Sequence, residues 1–591
     1  MAVQTPKQRI ANERFNKNIE KTRKYGKKKP DKKNQKNALP ISKYWVFALL
    51  FLLVGGGVLD DFKNTNIERD KLPILNSSQI INGNKARLIK NLSKSQQKEN
   101  YISNKIAKVR EIFGNDNKYP DYLSYNLPQN GSSLFHNGLP PIKSPQRAKR
   151  LSVTSLLTKS WCEIKFAYDI YSQIPRFITP ELSLGLKQHS HLELITHPPN
   201  KSLLQFESQW SVPEEKLIDQ WIQTIYRLVS LFIYGEAREI PCFAYIDSKD
   251  DKFSFIGDSQ SSKYKEYFER INSIDFEDYY NKNKKSQYIL LSGIIDHLKL
   301  KSTVNNQKEG RSLHALSVLQ NPHYDVQLLF NDIKQIISMK KLSIEVCDVK
   351  TRQTFSMPKQ NSVINSSKIQ VMYYMKFLLS MSKDASTTYQ GLLLNAFERG
   401  YNIDEPIHPL KIFSLILQNP FLISDMNKLK QGENIGFPQF DNYIKQNNTT
   451  KMDLSMYKDK FDRSLLNELD SLCDVWEFPL TIRYLAVRLS QLYYFLGQII
   501  SKNLLIEYYC RGVNFENLLF EYDEAILMIH HINSLRFWFG KRDIETFQPN
   551  IYNFSTFCKS CDYYNVCSWK KRGKELCKEL GNTLSSLNGD V

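Results

Sequence analysis

The chain has 591 residues, 41% hydrophobic and 12% aromatic, and is too long for one ordinary core, so we expect several domains or one heavily inserted domain. Its net charge of +20 favours a polyanionic partner, nucleic acid or anionic membrane. Residues 1–43 hold 14 Lys and Arg against 3 Asp and Glu, so the remaining chain argues only weakly for nucleic acid. Nine cysteines, an odd number without a regular framework, argue against a secreted disulfide scaffold.

The N-terminal region combines a basic segment with a short apolar one. We predict a disordered basic tail over residues 1–43. Residues 44–59 carry no charge until Asp60, but this run is shorter than the ~20 residues that span a bilayer, so the sequence predicts a marginal membrane anchor. MAVQTPKQRIANERFNKNIEKTRKYGKKK with FLLVGGGVL resembles the small tail-anchored, stress-associated proteins of the endoplasmic reticulum translocon. The resemblance implies a fusion to an unrelated sequence, in which case these residues say nothing about the rest.

Ordered structure is expected from about Arg150 onward. Residues 60–149 are rich in Asn, Ser and Lys and read as a linker or weakly ordered extension. In RLSVTSLLTKSWCEIKFAYDIYS, Ser152 or Thr154 is predicted to cap a helix, and residues 150–591 are predicted to form one domain.

Helices and strands alternate in the first part of that domain. Helices are predicted around 180–195, over 214–234 and over IQVMYYMKFLLSM; strands over EIPCFAYID, QYILLSGIIDHLKL and SIEVCDVKT; polar insertions over 247–286 and 301–335. Beyond residue 385 the pattern is mostly helical. This order predicts an α/β or α+β core with large insertions. The chain has no G-x-x-x-x-G-K-[ST] motif, so we expect no nucleotide triphosphate as a partner.

Two predicted strands carry acids that suit a hard cation. Strand alternation places Asp348 and Lys350 of IEVCDVKT on one face, and GIIDHL places Asp296 after an apolar strand. Alone, the first pair favours a solvated strand end and the second acid a turn residue. On neighbouring strands, Asp296 and Asp348 would form a Mg²⁺ site.

Two helices add polar side chains at helical spacing. GLKQHSHLE places Gly185, His189 and Glu193 on one helix face, where His189 is either a further metal ligand or a surface histidine. Gln370 and Tyr374 are one turn apart on the helix after IEVCDVKT, and they either orient a phosphate or lysine or form ordinary helix surface.

A third feature is CKSCDYYNVC, in which Cys558, Cys561 and Cys567 follow a C-x2-C-x5-C pattern. Thiolates suit zinc or an iron–sulfur cluster, and the spacing does not decide between them. Such sites usually need a fourth ligand, which this stretch lacks.

The order of these motifs resembles the PD-(D/E)xK nucleases of the RecB type, over about residues 150–567. G-x3-H-x3-E is followed by G-I-I-D, D-x-K-T-R and Q-x3-Y. One cysteine before this core and three after it is the arrangement of the iron–sulfur subset. With RLSVT, REIPCF, GIIDHL and DVKTR, the chain resembles the exonuclease V family in its fungal mitochondrial form.

This resemblance implies a PD-(D/E)xK restriction-endonuclease-like core with large helical insertions, closed by a [4Fe–4S] cluster. The matching cluster ligands are Cys162, Cys558, Cys561 and Cys567. The implied roles are Mg²⁺ binding and catalysis by Asp296, Asp348, His189 and Lys350, and substrate positioning by Glu193, Arg352, Gln370 and Tyr374.

The resemblance also implies the activity and its place. The family digests single-stranded DNA from an end, releases short oligonucleotides and serves mitochondrial genome maintenance; we expect a monomer. Two alternatives stay open. One is a catalytically silent iron–sulfur subunit that binds DNA. The other is a membrane-anchored, translocon-associated protein of the endoplasmic reticulum, which rests on residues 1–59 alone.

Overall fold

A mixed sheet organises the part of the chain that the structure describes. Its strands are β1 (Leu151–Ser152), β2 (Glu236–Asp247), β3 (Tyr288–Ser302), β4 (Leu342–Arg352), β7 (Ile500–Cys510) and β8 (Val513–Glu521), while β5 (Met452–Asp453) and β6 (Val475–Trp476) form a separate pair. β1 runs parallel to β3 and β4 parallel to β7; the pairs β2–β3, β3–β4 and β7–β8 are antiparallel. Together with the helices, this sheet confirms the predicted α/β class.

The computed structural model describes residues 94–113, 133–137, 150–160, 162–256, 268–272, 280, 288–302, 325–339, 342–447, 450–546 and 557–587. All of them lie in one compact unit of the chain, Leu50–Val591. The basic tail, the apolar run, most of the linker and most of the polar insertions predicted above lie outside the described residues. No helix within the described ranges is long and apolar enough to cross a membrane.

Helices surround the sheet. In chain order they are α1 (Lys94–Phe113), α2 (Leu134–Asn137), α3 (Val153–Leu156), α4 (Glu163–Ser172), α5 (Pro180–Thr196), α6 (Lys201–Gln209), α7 (Lys216–Tyr234), α8 (Val326–Met339), α9 (Asn361–Ser382), α10 (Ala385–Glu398), α11 (Pro409–Gln418), α12 (Ile423–Gln431), α13 (Pro438–Gln446), α14 (Arg463–Leu469), α15 (Ile482–Gly497), α16 (Glu524–Trp538) and α17 (Ser568–Leu587). Short 3₁₀ turns at Thr158–Ser160, Arg270–Asn272, Pro420–Leu422, Ser455–Tyr457 and Asp470–Leu472 join some of them.

The core lies between the sheet and the helices α7, α9, α10 and α15. α7 packs on β2 and on α15, and its apolar face, which includes Trp221, Leu228 and Phe232, is buried. Burying one such side chain contributes about 1.5–3 kcal/mol. The helix ends at Gly235, whose φ of 84° suits a residue without a Cβ and turns the chain into β2.

β3 divides one of its edges between two partners. On one edge of β3, β2 pairs along residues 288–299. The opposite edge is the divided one: β1 pairs there at Leu291 and Ser292, and β4 pairs from His297 onward. Residues 293–296 therefore lie in the interval between β1 and β4. Asp296, the last residue of this interval, stands where β4 leaves β3.

α5 brings a helix to this same place. Thr179 caps its first turn by accepting a hydrogen bond from the Leu182 N–H (3.3 Å), and Pro180 occupies the first helical position, where its missing N–H costs no helical bond. The helix packs against β2 and β4. His189 lies near the middle of this helix, and the cap fixes the residue at which the helix begins.

Three elements differ from the sequence-based expectations. The hairpin of β7 and β8 interrupts the region predicted as mostly helical; β7 is buried toward its end, whereas much of β8 is exposed and polar. α8 begins within the insertion predicted as polar. α1 lies within residues 60–149, where we expected a linker, because Val109 and Lys105 on one of its faces are buried against other parts of the chain.

Candidate active site

Asp296 links the two strands that separate at the candidate site. Its carboxylate accepts a hydrogen bond from the backbone N–H of Val349 (2.8 Å), two residues beyond the last β3–β4 pair. The carboxylate thus replaces a strand–strand hydrogen bond where β4 departs. On either side of Val349, Asp348 and Lys350 share the opposite face of β4, as the alternation predicted.

A histidine and two carboxylates meet beside this point. One ligand atom each of His189, Glu239 and Asp296 lies within 4.8 Å of the other two, and among the described residues this is the only such group of His, Cys, Asp or Glu. We call it the ligand triad. His189 Nδ1 is 3.5 Å from Glu239 Oε1. Carboxylate oxygens and an imidazole nitrogen together are a donor set for a divalent cation.

Glu239 was not predicted, and an unusual backbone conformation places it. It stands opposite Asp296 between the strand pairs Arg238–His297 and Ile240–Ile295, but is not itself paired. Its φ is 55°, a value that few residues other than glycine adopt. Such strained positions cluster at functional sites. Glu239 is the acid of REIPCF, but nothing in this stretch indicates that it lies next to His189 and Asp296.

The charges of the site depend on one another. Burial lowers the pKa of His189, but Asp296, Glu239 and Asp348 outweigh it and raise that pKa to about 9. Burial raises the pKa of Asp348 to about 7; Lys350 opposes this shift and Asp296 adds to it. Crowded carboxylates of this kind resist ionisation unless a cation lies between them. The electrostatics therefore fit a cation-binding site.

Lys350 begins a chain of hydrogen bonds that leads away from the acids. Its Nζ lies 2.9 Å from Asp348 Oδ2 and donates to Gln370 Oε1 (2.9 Å). Gln370 Nε2 in turn donates to the hydroxyl oxygen of Tyr374 (2.7 Å). A Cβ at Gly293 would come within 2.8 Å of the Tyr374 ring, so a glycine is needed there for the ring to approach β3.

Glu193 supports the triad and does not join it. Its carboxylate pairs with Arg227, and Arg227 also donates to the backbone carbonyl oxygen of Glu239 (2.8 Å). Burial raises the pKa of Glu193 to about 7, although Arg227 opposes this shift. These contacts connect α5 and α7 to the strained residue. Arg352 stays apart, at the end of β4, where its Nε donates to the Ser356 carbonyl (3.3 Å).

The four predicted cysteines meet at one small pocket. Cys162 precedes α4, and turns closed by the hydrogen bonds from Cys561 N to Cys558 O and from Cys567 N to Tyr563 O, each 3.0 Å, bring the other three to the same place. Burial, reinforced by the neighbouring thiols, raises the pKa of Cys558 to about 11. Clustered thiols of this kind become thiolates when a metal centre binds them.

A buried lysine joins α1 to the cysteine segment. Lys105 Nζ lies 3.0 Å from Asp562 Oδ2 and also pairs with Asp169 of α4, and the lysine side chain is only 4% exposed. Tyr563 donates a hydrogen bond to Asp169 Oδ1 (3.0 Å), the same carboxylate oxygen that pairs with Lys105. Helix α1 is therefore anchored next to the four thiols.

The fold and the ligand triad define a mixed α/β protein with a candidate metal-binding site where strands β3 and β4 separate. Comparison with known proteins gives its family. The sequence model of the exonuclease V family, described as a 5′ deoxyribonuclease, matches residues 142–570. The chain belongs to the exonuclease V family and is a nuclease that acts on DNA. A second model, ribosome associated membrane protein RAMP4, matches residues 3–62 and confirms the separate resemblance of the N-terminal segment.

The similarity to individual relatives covers most of the chain. A Vanderwaltozyma polyspora protein named exonuclease V, mitochondrial, is 35% identical over 513 residues, which cover 83% of this chain and 88% of the relative. Proteins with the same name from Saccharomyces cerevisiae S288c and Kluyveromyces lactis are each 33% identical, over 88% and 90% of this chain and 91% and 97% of the relatives. The predicted family is confirmed.

Proposed function

We propose that the chain is a mitochondrial exonuclease that digests single-stranded DNA from its 5′ end with Mg²⁺ and releases short oligonucleotides. The observation that carries the proposal is the ligand triad beside the Asp348–Lys350 pair, because these groups suit metal-assisted hydrolysis of a phosphodiester. The family description supplies the 5′ polarity, and the names of the relatives supply the mitochondrion.

The residues present fit a magnesium site. Glu239 and Asp296 provide the one or two carboxylates that Mg²⁺ usually takes from a protein, and phosphate oxygens complete its shell. Asp348, on the neighbouring strand, is a further ligand in the proposal, and His189 assists. When bound, Mg²⁺ stabilises negative charge on the phosphate and lowers the pKa of an attacking water.

Lys350 orients the attacking water in this proposal. An ammonium group has three N–H donors: one donates to Gln370, and one shared between the two carboxylate oxygens of Asp348 (2.9 and 3.2 Å) accounts for that contact. We assign the third to the water or to a phosphate oxygen. Gln370 and Tyr374 hold the ammonium in place, Glu193 acts through Arg227, and Arg352 contacts the strand from the end of β4.

The fold assignment belongs to the same proposal. β2, β3, β4 and β7 form the PD-(D/E)xK core, with Asp296 as its first acid and Asp348-x-Lys350 as its second motif. The other helices are insertions around it. A monomer suffices, since one chain supplies every residue named.

We further propose a [4Fe–4S] cluster on Cys162, Cys558, Cys561 and Cys567. A single zinc ion draws thiolates close together, with Zn–S of about 2.3 Å, whereas a cubane of four irons spreads them. Among the described cysteines, no three sulfurs lie within 4.8 Å of one another, although all four line one pocket. This wider spacing favours the cluster, whose role is to join distant parts of the chain.

The test is digestion of end-labelled single-stranded DNA by anaerobically purified protein, with Mg²⁺ and with EDTA. We expect Mg²⁺-dependent release from the 5′ end, and loss of it in Asp348→Ala. Binding without cleavage by the wild-type protein would instead establish the silent DNA-binding subunit.

A further inference from the structure

A cavity of about 340 Å³ borders the ligand triad. His189, Glu239 and Asp296 form part of its wall, and the rest comes from residues in or next to β1, β2 and β3 and helices α3, α5, α7, α9, α10 and α15. Its volume is at the lower end of the range of about 300–1,000 Å³ for small-molecule sites. The cavity therefore has room for a group the size of a nucleotide next to the proposed metal.

Two arginines supply the remaining charge of the described wall. Arg150 lies directly before β1, and Arg399 directly follows α10. A guanidinium presents paired N–H groups that match phosphate oxygens. The cavity thus combines an acidic part suited to a cation with a basic part suited to a phosphate group.

The same helix contributes an unsatisfied acceptor. Asn395 lies one helical turn before Arg399, so both side chains share a face. Asn395 is 8% exposed, and its Oδ1 is buried without a hydrogen-bond partner among the described residues. A buried acceptor without a partner in the protein needs one from a water or from a ligand. An N–H or O–H group of a nucleotide would satisfy it.

Part of the remaining wall is apolar. Trp221, Phe243, Met381 and Leu489 line the cavity. Aromatic and apolar side chains form the surfaces on which proteins hold the bases of single strands without reading their sequence. A phosphate-binding part and a base-binding part in one nucleotide-sized space together indicate a nucleotide.

We propose that this cavity receives the 5′-terminal nucleotide of the strand, with its terminal phosphate on Arg150 and Arg399 and its base against the apolar wall. The inference rests on the proposed exonuclease function, which supplies the strand. The two arginines then hold the terminal phosphate, and the scissile phosphodiester lies further along the strand, as the release of short oligonucleotides requires. The site therefore distinguishes a phosphorylated 5′ end from a hydroxyl end.

The experiment measures binding separately from cleavage. Two 3′-fluorescent strands of one sequence, one with a 5′-phosphate and one with a 5′-hydroxyl, are titrated with the full-length protein in Ca²⁺ and followed by anisotropy. We expect the phosphorylated strand to bind at least about tenfold more tightly, as for a charge-assisted hydrogen bond to a phosphate. Arg399→Gln and Arg150→Gln should each lower this ratio to below about threefold.

Arg463→Gln is the matched control, because Arg463 is exposed at the start of α14 and does not line the cavity. It should keep the wild-type ratio, and binding of the hydroxyl strand shows that each variant is folded. A wild-type ratio near one, or a ratio retained in both arginine variants, overturns the inference. Digestion of the same strands in Mg²⁺ separates the two proposals: cleavage without end preference removes only the cavity assignment, and preference without cleavage removes only the exonuclease.

Discussion

Arg227 donates a hydrogen bond to the backbone carbonyl oxygen of Glu239 (2.8 Å), the one residue of the ligand triad with a left-handed backbone. The same guanidinium pairs with Glu193. A strained residue persists only where its surroundings hold it. The position of the Glu239 carboxylate therefore depends on an arginine that holds its backbone and is not itself a member of the ligand triad.

Arg227→Met should lower both stability and metal affinity. It leaves the mostly buried Glu193 without its cation, a change that costs about 3–5 kcal/mol for a buried pair. Urea unfolding measures the first effect and calorimetric Mn²⁺ titration the second. The double variant Arg227→Met, Glu193→Gln should recover part of the stability but not the metal affinity. Wild-type metal affinity in Arg227→Met would show that the arginine has no positioning role.

Glu239→Gln should abolish most of the activity. The amide keeps the size of the side chain but removes one of the two carboxylates in the triad, so we expect a loss on the order of 10²-fold and a higher Mg²⁺ requirement. Initial rates on single-stranded DNA across a Mg²⁺ titration measure both. Glu516→Gln, on the exposed surface of β8, is the control and should behave as wild type. Undiminished activity in Glu239→Gln would remove this residue from the site.

Glu507 should make stability depend on acidic pH. Burial opposes its ionisation, but hydrogen bonds and charge from His297 and Lys299 lower its pKa from 4.5 to about 2. A depressed folded pKa stabilises the protein above the unfolded pKa, and this contribution is lost as pH falls from about 4.5 toward 2. At pH 7, Glu507→Gln should be about 3 kcal/mol less stable than wild type.

The measurement for Glu507 is the difference in unfolding free energy between the two proteins, taken by urea titration from pH 7 to pH 3. The difference should narrow below about pH 4.5 as the wild-type protein loses this contribution. A difference that stays constant over this range would contradict the assignment.

Lys105→Met should loosen α1 from the cysteine segment. The substitution leaves Asp562 and Asp169 partly unpaired near the buried position of the ammonium, so we expect a loss of about 3 kcal/mol. Hydrogen exchange should report faster opening of α1. Lys108→Met removes only an exposed pair with Glu111 and should change stability by less than about 0.5 kcal/mol. Equal effects of the two variants would refute the anchoring role.

Cys162→Ser should reduce the iron content of anaerobically purified protein well below the about four irons of a complete cluster, and weaken its visible absorption. Cys473→Ser removes a buried thiol that does not line the cysteine pocket, and it should keep both. Zinc in place of iron in the wild-type protein would contradict the cluster assignment.

The sequence predicted the elements whose periodicity is local. Strands β2, β3 and β4 and helices α5, α7 and α9 were all expected, since alternation or helical spacing marks each within its own segment. β8 was missed because most of its side chains are exposed and give no apolar alternation. α1 was missed because its burial depends on partners hundreds of residues away.

In the candidate site, too, only the relationships set by local spacing were predictable. Spacing alone put Asp348 near Lys350 and Gln370 near Tyr374, and the structure brings both pairs together. Glu239 has no such local signal. Its role follows from a pairing with a strand more than fifty residues further on and from one unusual backbone angle. Glu193 shares a helix face with His189 as expected, yet its partner Arg227 comes from another helix.

The positions of the four cysteines also bear on how the protein matures. Cys162 precedes every residue of the ligand triad, and Cys558, Cys561 and Cys567 follow β8, the last strand of the sheet. A ribosome must therefore complete the whole catalytic domain before the fourth thiol exists. In the proposed cluster-bound state, cluster insertion can be completed only after Cys567 has been translated, and a chain that terminates before Cys558 has one of the four thiols and is left without the cofactor.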